Sequence, residues 1–300
     1  KITGKLINDG TLTLQSDKDE FASLIVGEQL YGRDIYDDSD NAMTGGSNVD
    51  TVGSDNITYQ RFVADVGDDE WDYISSPVHG QDLQALIDDN SSLATGGAGN
   101  AQVGIGVFSN DAGADTAAAM YTNYNTTGNS GTTIPLGKGY VMATDNDDTS
   151  TNGATVSFTG ALLTRDMEGI PIDNTQSNTN FGKWNLVGNP YPSFIKANSN
   201  AGGTDFLEVN AGNLLTNFEY VYGYDGDGTF SYYNNTSAAT YIAPGQGFFV
   251  ASQIGGGNIK FTKAMQTHAN ADDFNSDSAD NMENTEVVIK LFNGENELES

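Results

Sequence analysis

The feature that most constrains the fold of this chain is an internal repeat. Four short blocks that mix aromatic, proline and glycine residues occur twice in the same order. The pairs are residues 71–78 with 184–191, 107–111 with 221–225, 137–142 with 245–250, and 156–159 with 259–262. Spacing that drifts while the order is kept indicates loops of different length between matching strands. We therefore infer a duplication and call residues 58–165 the first copy and residues 166–265 the second copy.

The residues shared by the two copies predict the same local structure in each. They are Trp71, Pro77 and Gly139 in the first copy and Trp184, Pro190 and Gly247 in the second. Each tryptophan lies in a strand that ends at a proline, because proline cannot donate a hydrogen bond to a neighbouring strand. Each glycine belongs to a Gly-x-Gly-aromatic motif that opens another strand. Glycine there permits a bulge or a close approach of the backbone beside a bulky ring.

The rest of the pattern predicts an all-β fold of tandem duplicated antiparallel β-sandwich units, jelly-roll-like in kind. Short β-branched and aromatic runs alternate with clusters of Gly, Asn, Asp, Ser and Thr, which is typical of antiparallel proteins. One short helix is expected at residues 82–88, where Leu83, Leu86 and Ile87 share a face and Asp82 caps the first turn. Each copy forms its own sandwich, or the two copies pair into one larger sandwich.

The segments outside the duplication are more polar. Residues 1–57 contain an Asn-Asp-Gly turn before Leu12 and Leu14, which predicts a hairpin, then a strand at 24–26 and an acidic loop. Residues 266–284 are acidic and poor in apolar residues, as linkers are. Residues 285–300 contain a strand at 287–292 with no partner after it. We expect this strand to be the first of a following domain.

Charge and cysteine content exclude several classes of function. The chain has 12 Lys and Arg against 41 Asp and Glu, a net charge of −29, and no cysteine. This charge repels nucleic acid and anionic lipid surfaces. Without cysteine there is no disulfide, thiol nucleophile or cysteine-ligated zinc. No apolar run reaches the ~20 residues that a membrane-spanning helix needs.

Several segments resemble one family of bacterial proteins. Residues 184–193 (Trp-Asn-Leu-Val-Gly-Asn-Pro-Tyr-Pro-Ser) and 244–250 (Pro-Gly-Gln-Gly-Phe-Phe-Val) resemble large surface or secreted proteins that Bacteroidota export by the type IX secretion system. Residues 59–62, 70–71 and 74–77 resemble the first copy of the same paired region. Residues 8–14 are similar to the end of the β-solenoid-like stretches of these proteins, and 290–297 to the entry of a C-terminal sorting region.

The resemblance implies export, followed by attachment to the bacterial cell surface or release as a secreted protein, and roles such as adhesion or gliding. The partners it implies are the type IX secretion machinery, with surface glycans or other cell-surface proteins as targets. It implies no catalytic residues.

Clustered aspartates are candidate calcium ligands, since Ca²⁺ prefers carboxylate and carbonyl oxygens. The candidates are Asp145 and Asp147 in the first copy and Asp225 and Asp227 in the second. None of these loops has the Glu that completes a helix–loop–helix calcium site. The alternative is that Asp and Gly simply form turns at these positions.

Tyrosines of the second copy are candidates for stacking on sugar rings. Matching 107–111 with 221–225 makes Tyr222 equivalent to Phe108, a core position, and Tyr224 equivalent to Asn110, an exposed one. The predicted sugar-binding residues are Tyr224, Tyr232 and Tyr233. The alternative assigns these rings to the core or to plain surface.

No motif indicates catalysis. His79 and His268 are the only histidines and are far apart in sequence. The two Gly-x-Gly motifs lack the third glycine of a nucleotide-binding fingerprint. Glycoside hydrolysis needs only a pair of carboxylates, and in so acidic a chain the presence of such pairs does not indicate that activity. The first hypothesis is therefore a non-enzymatic structural or adhesive module of an exported surface protein. The second is a carbohydrate-binding module assisted by calcium, and the third is a hydrolase.

Overall fold

The computed structural model describes residues 12–18, 20–25, 51–65, 71–111, 116–145, 153–163, 165–175, 181–226, 228–269, 271, 274, 291–293 and 296–298. These residues form short strands in several sheets that are almost entirely antiparallel, with few helices. The prediction of an all-β, antiparallel sandwich fold is confirmed.

The first copy is a sandwich of two sheets. Its strands are β2 (Thr51–Ala64), β3 (Asp72–Ser75), β4 (Thr95–Gly96), β5 (Gln102–Phe108), β6 (Tyr121–Asn125), β7 (Gly139–Met142) and β8 (Gly153–Leu163). Its helices are α1 (Leu83–Asp89) and α2 (Ala117–Met120). One sheet pairs β2 with β8, and β1 (Leu12–Leu14) joins β2 in parallel. The other sheet runs β3-β7-β5, with β4 and β6 on β5. The first strand of this copy thus begins at Thr51, before the predicted boundary at residue 58.

The second copy repeats this arrangement. Its strands are β9 (Met167–Ile172), β10 (Trp184–Gly188), β11 (Phe194–Lys196), β12 (Val221–Tyr224), β13 (Phe230–Tyr233), β14 (Tyr241–Ile242), β15 (Gly247–Ala251), β16 (Gly257–Phe261) and β17 (Gln266–Thr267). Its helix is α3 (Phe206–Asn210), and 3₁₀ turns lie at Ser199–Ala201, Ala211–Asn213 and Lys263–Met265. β9 pairs with β16, as β2 does with β8, and the four-stranded sheet runs β10-β15-β12-β13. β11 lies between β14 and β17 in a small extra sheet.

The two copies share strand register as well as strand order. Ser75 pairs with Gly139 in the first copy, and Gly188 pairs with Gly247 in the second. The match continues at all four positions along β3–β7 and β10–β15. Since a slip of one residue would turn every side chain to the other face, the shared register shows that both copies place matching residues on matching faces.

Four sheets stack with three apolar layers between them. An outer layer of the first copy, with Tyr59 and Phe158, fills the space between its two sheets. An outer layer of the second copy, with Phe206 and Phe248, does the same there. The middle layer lies between the two central sheets and contains Tyr73, Val141, Leu186 and Phe249. We call it the inter-copy layer. Each copy is therefore a sandwich of its own, and the two sandwiches pack face to face.

The predicted helix is present with its cap. The Asp82 carboxylate accepts a hydrogen bond from the amide of Ala85 at 3.0 Å, and Leu83 and Leu86 are buried. In the second copy the Asp205 carboxylate accepts from the amide of Glu208 at 2.8 Å in the same way. An aspartate at this position satisfies an amide that the first turn of a helix leaves without a partner.

An asparagine at the end of each of these helices is a duplicated polar residue that the sequence comparison missed. The amide of Asn90 donates to the carbonyl of Leu86 and exchanges two hydrogen bonds with the backbone of Ser157. The amide of Asn210 does the same with Phe206 and Lys260. Both side chains are buried and tie the helix to an outer-sheet strand, β8 in the first copy and β16 in the second.

The N-terminal segment differs from its prediction. β1 pairs in parallel with β2, while the remaining part of the predicted hairpin lies outside the described residues. Leu24 and Ile25 are not in a strand; instead the amide of Leu24 donates to the carbonyl of Pro192 at 2.6 Å. Phe21 packs edge-on against Phe194. The segment therefore packs on the first copy through Leu12, Ala22 and Leu24 and reaches the second copy at Pro192 and Phe194. Its solenoid-like character stays a prediction.

Two predictions at the C-terminal end are wrong in part. Residues 266–267, predicted as linker, form β17 on β11, and Phe274 stacks on Tyr233. The strand predicted without a partner has one: β18 (Leu291–Asn293) pairs with β19 (Asn296–Leu298). The sequence analysis did not predict β19, because most of its residues are polar.

Candidate functional site

The Gly-x-Gly motifs form the contact between the two copies. The amide of Ser75 donates to the carbonyl of Gly245 at 2.7 Å, and the amide of Gly188 donates to the carbonyl of Gly137 at 3.0 Å. Ser75 is equivalent to Gly188, and Gly245 to Gly137. The two hydrogen bonds therefore join equivalent pairs of residues in opposite directions, as contacts across a two-fold axis do. A local two-fold axis relates the copies within one chain.

Both motif glycines predicted to open a strand are needed for close approach to the other copy. A Cβ on Gly139 would lie 2.6 Å from Cγ of Leu186. A Cβ on Gly247 would lie 2.8 Å from the carbonyl carbon of Tyr73. Such distances are too short for real atoms, so only glycine fits there. The predicted close backbone approach is present, and the neighbour is the opposite copy.

Aromatic rings fill the inter-copy layer. Tyr73 stacks on Tyr224 with ring centroids 5.0 Å apart, and Phe249 packs edge-on against Tyr73 at 5.2 Å and Phe108 at 4.7 Å. The hydroxyl of Tyr73 is hydrogen-bonded to that of Tyr121 at 2.8 Å. Burial raises the pKa of Tyr73 well above its ordinary value. Trp71 and Trp184 are both partly buried and both pack against this layer.

The sheet register corrects the sequence alignment of β5 with β12 by two residues. Gly106 lies opposite Val141, and Tyr222 lies opposite Phe249, its equivalent. Tyr222 therefore matches Gly106 rather than Phe108, and Tyr224 matches Phe108 rather than Asn110. The prediction that Tyr224 is an exposed position is wrong, since its ring is partly buried in the inter-copy layer. A shift of two leaves the strand face unchanged, which is why the pattern of apolar residues did not reveal it.

The structure separates the three tyrosines predicted to bind sugar. Tyr232 is 64% exposed. Tyr233, its neighbour on β13, points to the opposite face and stacks on Phe274 with centroids 5.4 Å apart. Tyr224 is engaged with Tyr73. Of the three, Tyr232 alone presents an open ring.

A different set of aromatic residues surrounds Tyr232. We call it the aromatic face, and its members are Trp184, Phe218, Tyr220, Tyr222 and Tyr232. The ring of Trp184 packs edge-on against Tyr222 at 4.8 Å and Phe218 at 6.2 Å. Tyr220 lies 5.7 Å from both Tyr222 and Tyr232. The Lys183 ammonium lies 4.8 Å from the Phe218 ring centroid and 5.1 Å from that of Trp184.

The face lies where the central sheet of the second copy extends past the inter-copy layer. Tyr222 and Tyr232 pair across β12 and β13, outward from Phe249. The sequence analysis did not predict that Trp184 and Phe218 are neighbours of Tyr222. Their proximity follows from strand order, which spacing along the chain does not reveal.

The predicted calcium ligands are not brought together in the part of the chain that the structure describes. The Asp225 carboxylate accepts hydrogen bonds from the hydroxyls of Thr229 at 3.2 Å and Ser231 at 3.0 Å, as in a turn. Asp145 is exposed, and Asp147 and Asp227 lie outside the described residues. The described residues contain no group of three or more acidic, histidine or cysteine side chains suited to a metal. Calcium binding stays a prediction.

The Asn-Pro-Tyr-Pro segment is part of the second core. The buried Asn189 amide donates to the carbonyls of Ser193 and Ala243, and its oxygen accepts from the amide of Tyr191. The Tyr191 hydroxyl lies 3.0 Å from the carbonyl oxygen of Phe261. In the first copy, Ser76 occupies the position of Asn189 and bonds to the backbone of Val78. The motif therefore closes a turn in both copies.

The two histidines lie in different settings. The backbone of His79 pairs with Ala161, while the ring of His268 lies 3.0 Å from the hydroxyl of Ser23. No helix among the described residues is long and apolar enough to cross a membrane.

Comparison with known proteins identifies one family. No curated protein and no solved structure matches the chain. One family, described as a domain of unknown function (DUF8693), matches residues 8–299. This match includes both copies, the inter-copy layer and the aromatic face. The chain therefore belongs to the DUF8693 family.

Proposed function

We propose that the chain is a non-enzymatic structural and adhesive module of an exported bacterial surface protein. The observation that carries this proposal is the reciprocal contact between the copies, in which Ser75 bonds to Gly245 and Gly188 to Gly137. The inter-copy layer packs the same two central sheets against each other. Two sandwiches joined in this way act as one stiff unit, whereas two domains on a flexible linker move independently.

Further support comes from which residues the copies share. The duplicated residues are glycines at the inter-copy contact, aspartates that cap helices and asparagines that tie helix to strand. Each has a defined role in holding the fold. Export by the type IX pathway rests on the resemblance of the segments at 184–193 and 244–250. The net charge of −29 suits a protein that stays soluble outside the cell.

Calorimetry of the whole chain tests the stiff-unit part of the proposal. We expect one cooperative unfolding transition whose calorimetric and van't Hoff enthalpies agree. Two separate transitions, one for each copy, would contradict it. Antibody labelling of intact cells tests surface location, and labelling only after lysis would count against export. Incubation with polysaccharides and peptides tests the absence of hydrolytic activity, which any released product would refute.

A further inference from the structure

The first copy provides an internal control for the aromatic face. Tyr222 and Tyr232 of the second copy match Gly106 and Asn123 of the first, because each pair lies opposite across equivalent strands. In the first copy the Asn123 amide donates to the carbonyl of Val103 at 3.1 Å. The same two strands therefore form without tyrosines. The fold does not need the aromatic side chains of Tyr222 and Tyr232.

A contiguous patch of exposed apolar side chains, unlike a single one, indicates a contact site for a ligand or partner. Tyr232 is 64% exposed, and Phe230 on the same side of β13 is 42% exposed. Within the described part of the chain, the only other large apolar side chain exposed in this way is Ile254. Two of these three thus lie together beside the inter-copy layer. This concentration points to a ligand.

The hydroxyl groups of the face restrict what that ligand is. In the described part of the chain, the hydroxyls of Tyr220, Tyr222 and Tyr232 have no hydrogen-bond partner from the protein. Burial, with Tyr220 and Glu219 nearby, raises the pKa of Tyr222 to about 12, so its hydroxyl remains a donor at neutral pH. A purely apolar partner would bury these hydroxyls without partners, at a cost in free energy. The ligand must carry hydrogen-bonding groups around an apolar surface.

Charge restricts the ligand further. The chain carries a net charge of −29, which repels anionic polymers. The one lysine at the face, Lys183, already lies over the rings of Trp184 and Phe218. A neutral ligand is favoured. A pyranose ring meets every requirement, because its C–H face is apolar and its edge is lined with hydroxyls.

We infer that the aromatic face binds neutral polysaccharide, with the open ring of Tyr232 stacking on a sugar ring and the hydroxyls of Tyr220 and Tyr222 bonding to sugar hydroxyls. The centroids of these three rings are 5.7 to 6.4 Å apart. This spacing makes a surface the size of a mono- or disaccharide unit. The site belongs to the second copy alone, and its assignment does not depend on the role of the two copies as a stiff unit.

Isothermal titration calorimetry of the whole chain with neutral oligosaccharides of glucan, mannan, xylan and galactan tests this inference. We expect at least one of them to bind and Tyr232→Ala to weaken that binding about tenfold or more, as removal of a stacking ring does. Ile254→Ala is the matched control, since it removes an exposed apolar side chain from the turn between β15 and β16. It should leave affinity unchanged. Polygalacturonate tests the charge argument and should not bind.

Failure of every neutral oligosaccharide to bind would overturn the inference, as would binding that Tyr232→Ala leaves intact. Sedimentation of the same variants tests the competing occupant. A chain that self-associates and becomes monomeric with Tyr232→Ala would show that the face is a protein contact, which also overturns the inference. None of these results affects the number of unfolding transitions, which tests the proposed function. A failure of the sugar-binding inference can therefore be distinguished from a failure of the proposed function.

Discussion

Ser75 and Gly188 occupy the same position in the two copies and face each other across the local two-fold axis. A Cβ on Gly188 would lie 2.2 Å from the Cβ of Ser75 and 2.8 Å from its Oγ. One of the two residues can have a side chain there, but not both. The duplicated chain meets this limit by asymmetry, with serine in the first copy and glycine in the second. A homodimer of a single copy could not do so.

Gly188→Ala is expected to destabilise the chain by about 1–3 kcal/mol, the usual cost of overpacking a well-packed contact. Adding Ser75→Gly to this variant should recover part of the loss, because it removes the Ser75 atoms that clash while the carbonyl oxygen of Gln246 stays 2.9 Å from the new Cβ. Urea unfolding of both variants measures the change. Gly212→Ala is the control, since a Cβ there meets no atom within 4 Å. Equal losses for Gly188→Ala with and without Ser75→Gly would contradict the shared-space argument.

Ser75→Ala is expected to stabilise the protein by about 1 kcal/mol. The Ser75 hydroxyl is buried and, among the described residues, has no hydrogen-bond partner. A buried polar group without a partner is costly, and alanine keeps the Cβ while removing that group. The melting temperature should therefore rise by about 2–4 °C. A lower melting temperature would mean that the hydroxyl has a stabilising role at the axis.

Asn189→Ala is expected to destabilise the second copy by about 3 kcal/mol. The substitution leaves the amide of Tyr191 and the carbonyls of Ser193 and Ala243 buried without their partner. Asn189→Ser should cost less, because Ser76 closes the equivalent turn of the first copy. Chemical unfolding of the two variants gives the order. Similar stabilities for both would show that the turn does not depend on the side chain.

Stability is expected to fall as pH rises above about 10. Burial raises the pKa of seven tyrosines among the described residues above the ordinary value near 10. They are Tyr59, Tyr73, Tyr121, Tyr124, Tyr140, Tyr191 and Tyr222. Their contribution is complete below the unfolded pKa and is lost as pH rises towards the folded pKa, because the unfolded chain then releases protons that the native chain retains.

Each of these tyrosines lowers stability by at most about 1.4 kcal/mol per pH unit in that range. Urea unfolding at pH 8, 10 and 11 measures the slope, and Tyr73→Phe should make it shallower. Equal stability at pH 8 and pH 11 would contradict the prediction.

Much of the fold follows from local sequence. Proline and glycine at fixed positions in each copy indicate strand ends and close approaches, and the spacing of Leu83 and Leu86 after Asp82 predicts a capped helix that is present. These features depend on residues within one or two turns of each other. The aromatic face was predicted only in part, because Tyr232 lies there while Tyr224 and Tyr233 are engaged elsewhere.

The sequence by itself determined that one β pattern occurs twice and where its glycines lie. Tertiary structure alone decided that those glycines meet the opposite copy, that Tyr222 matches Gly106, and that Trp184 lies against Tyr222. These contacts join residues from about 40 to more than 170 positions apart. The side-chain period of a strand is also the same for any even shift in register. The local pattern of apolar residues does not indicate which other sheet a strand packs against. Only tertiary packing could therefore specify the inter-copy layer and the aromatic face beside it.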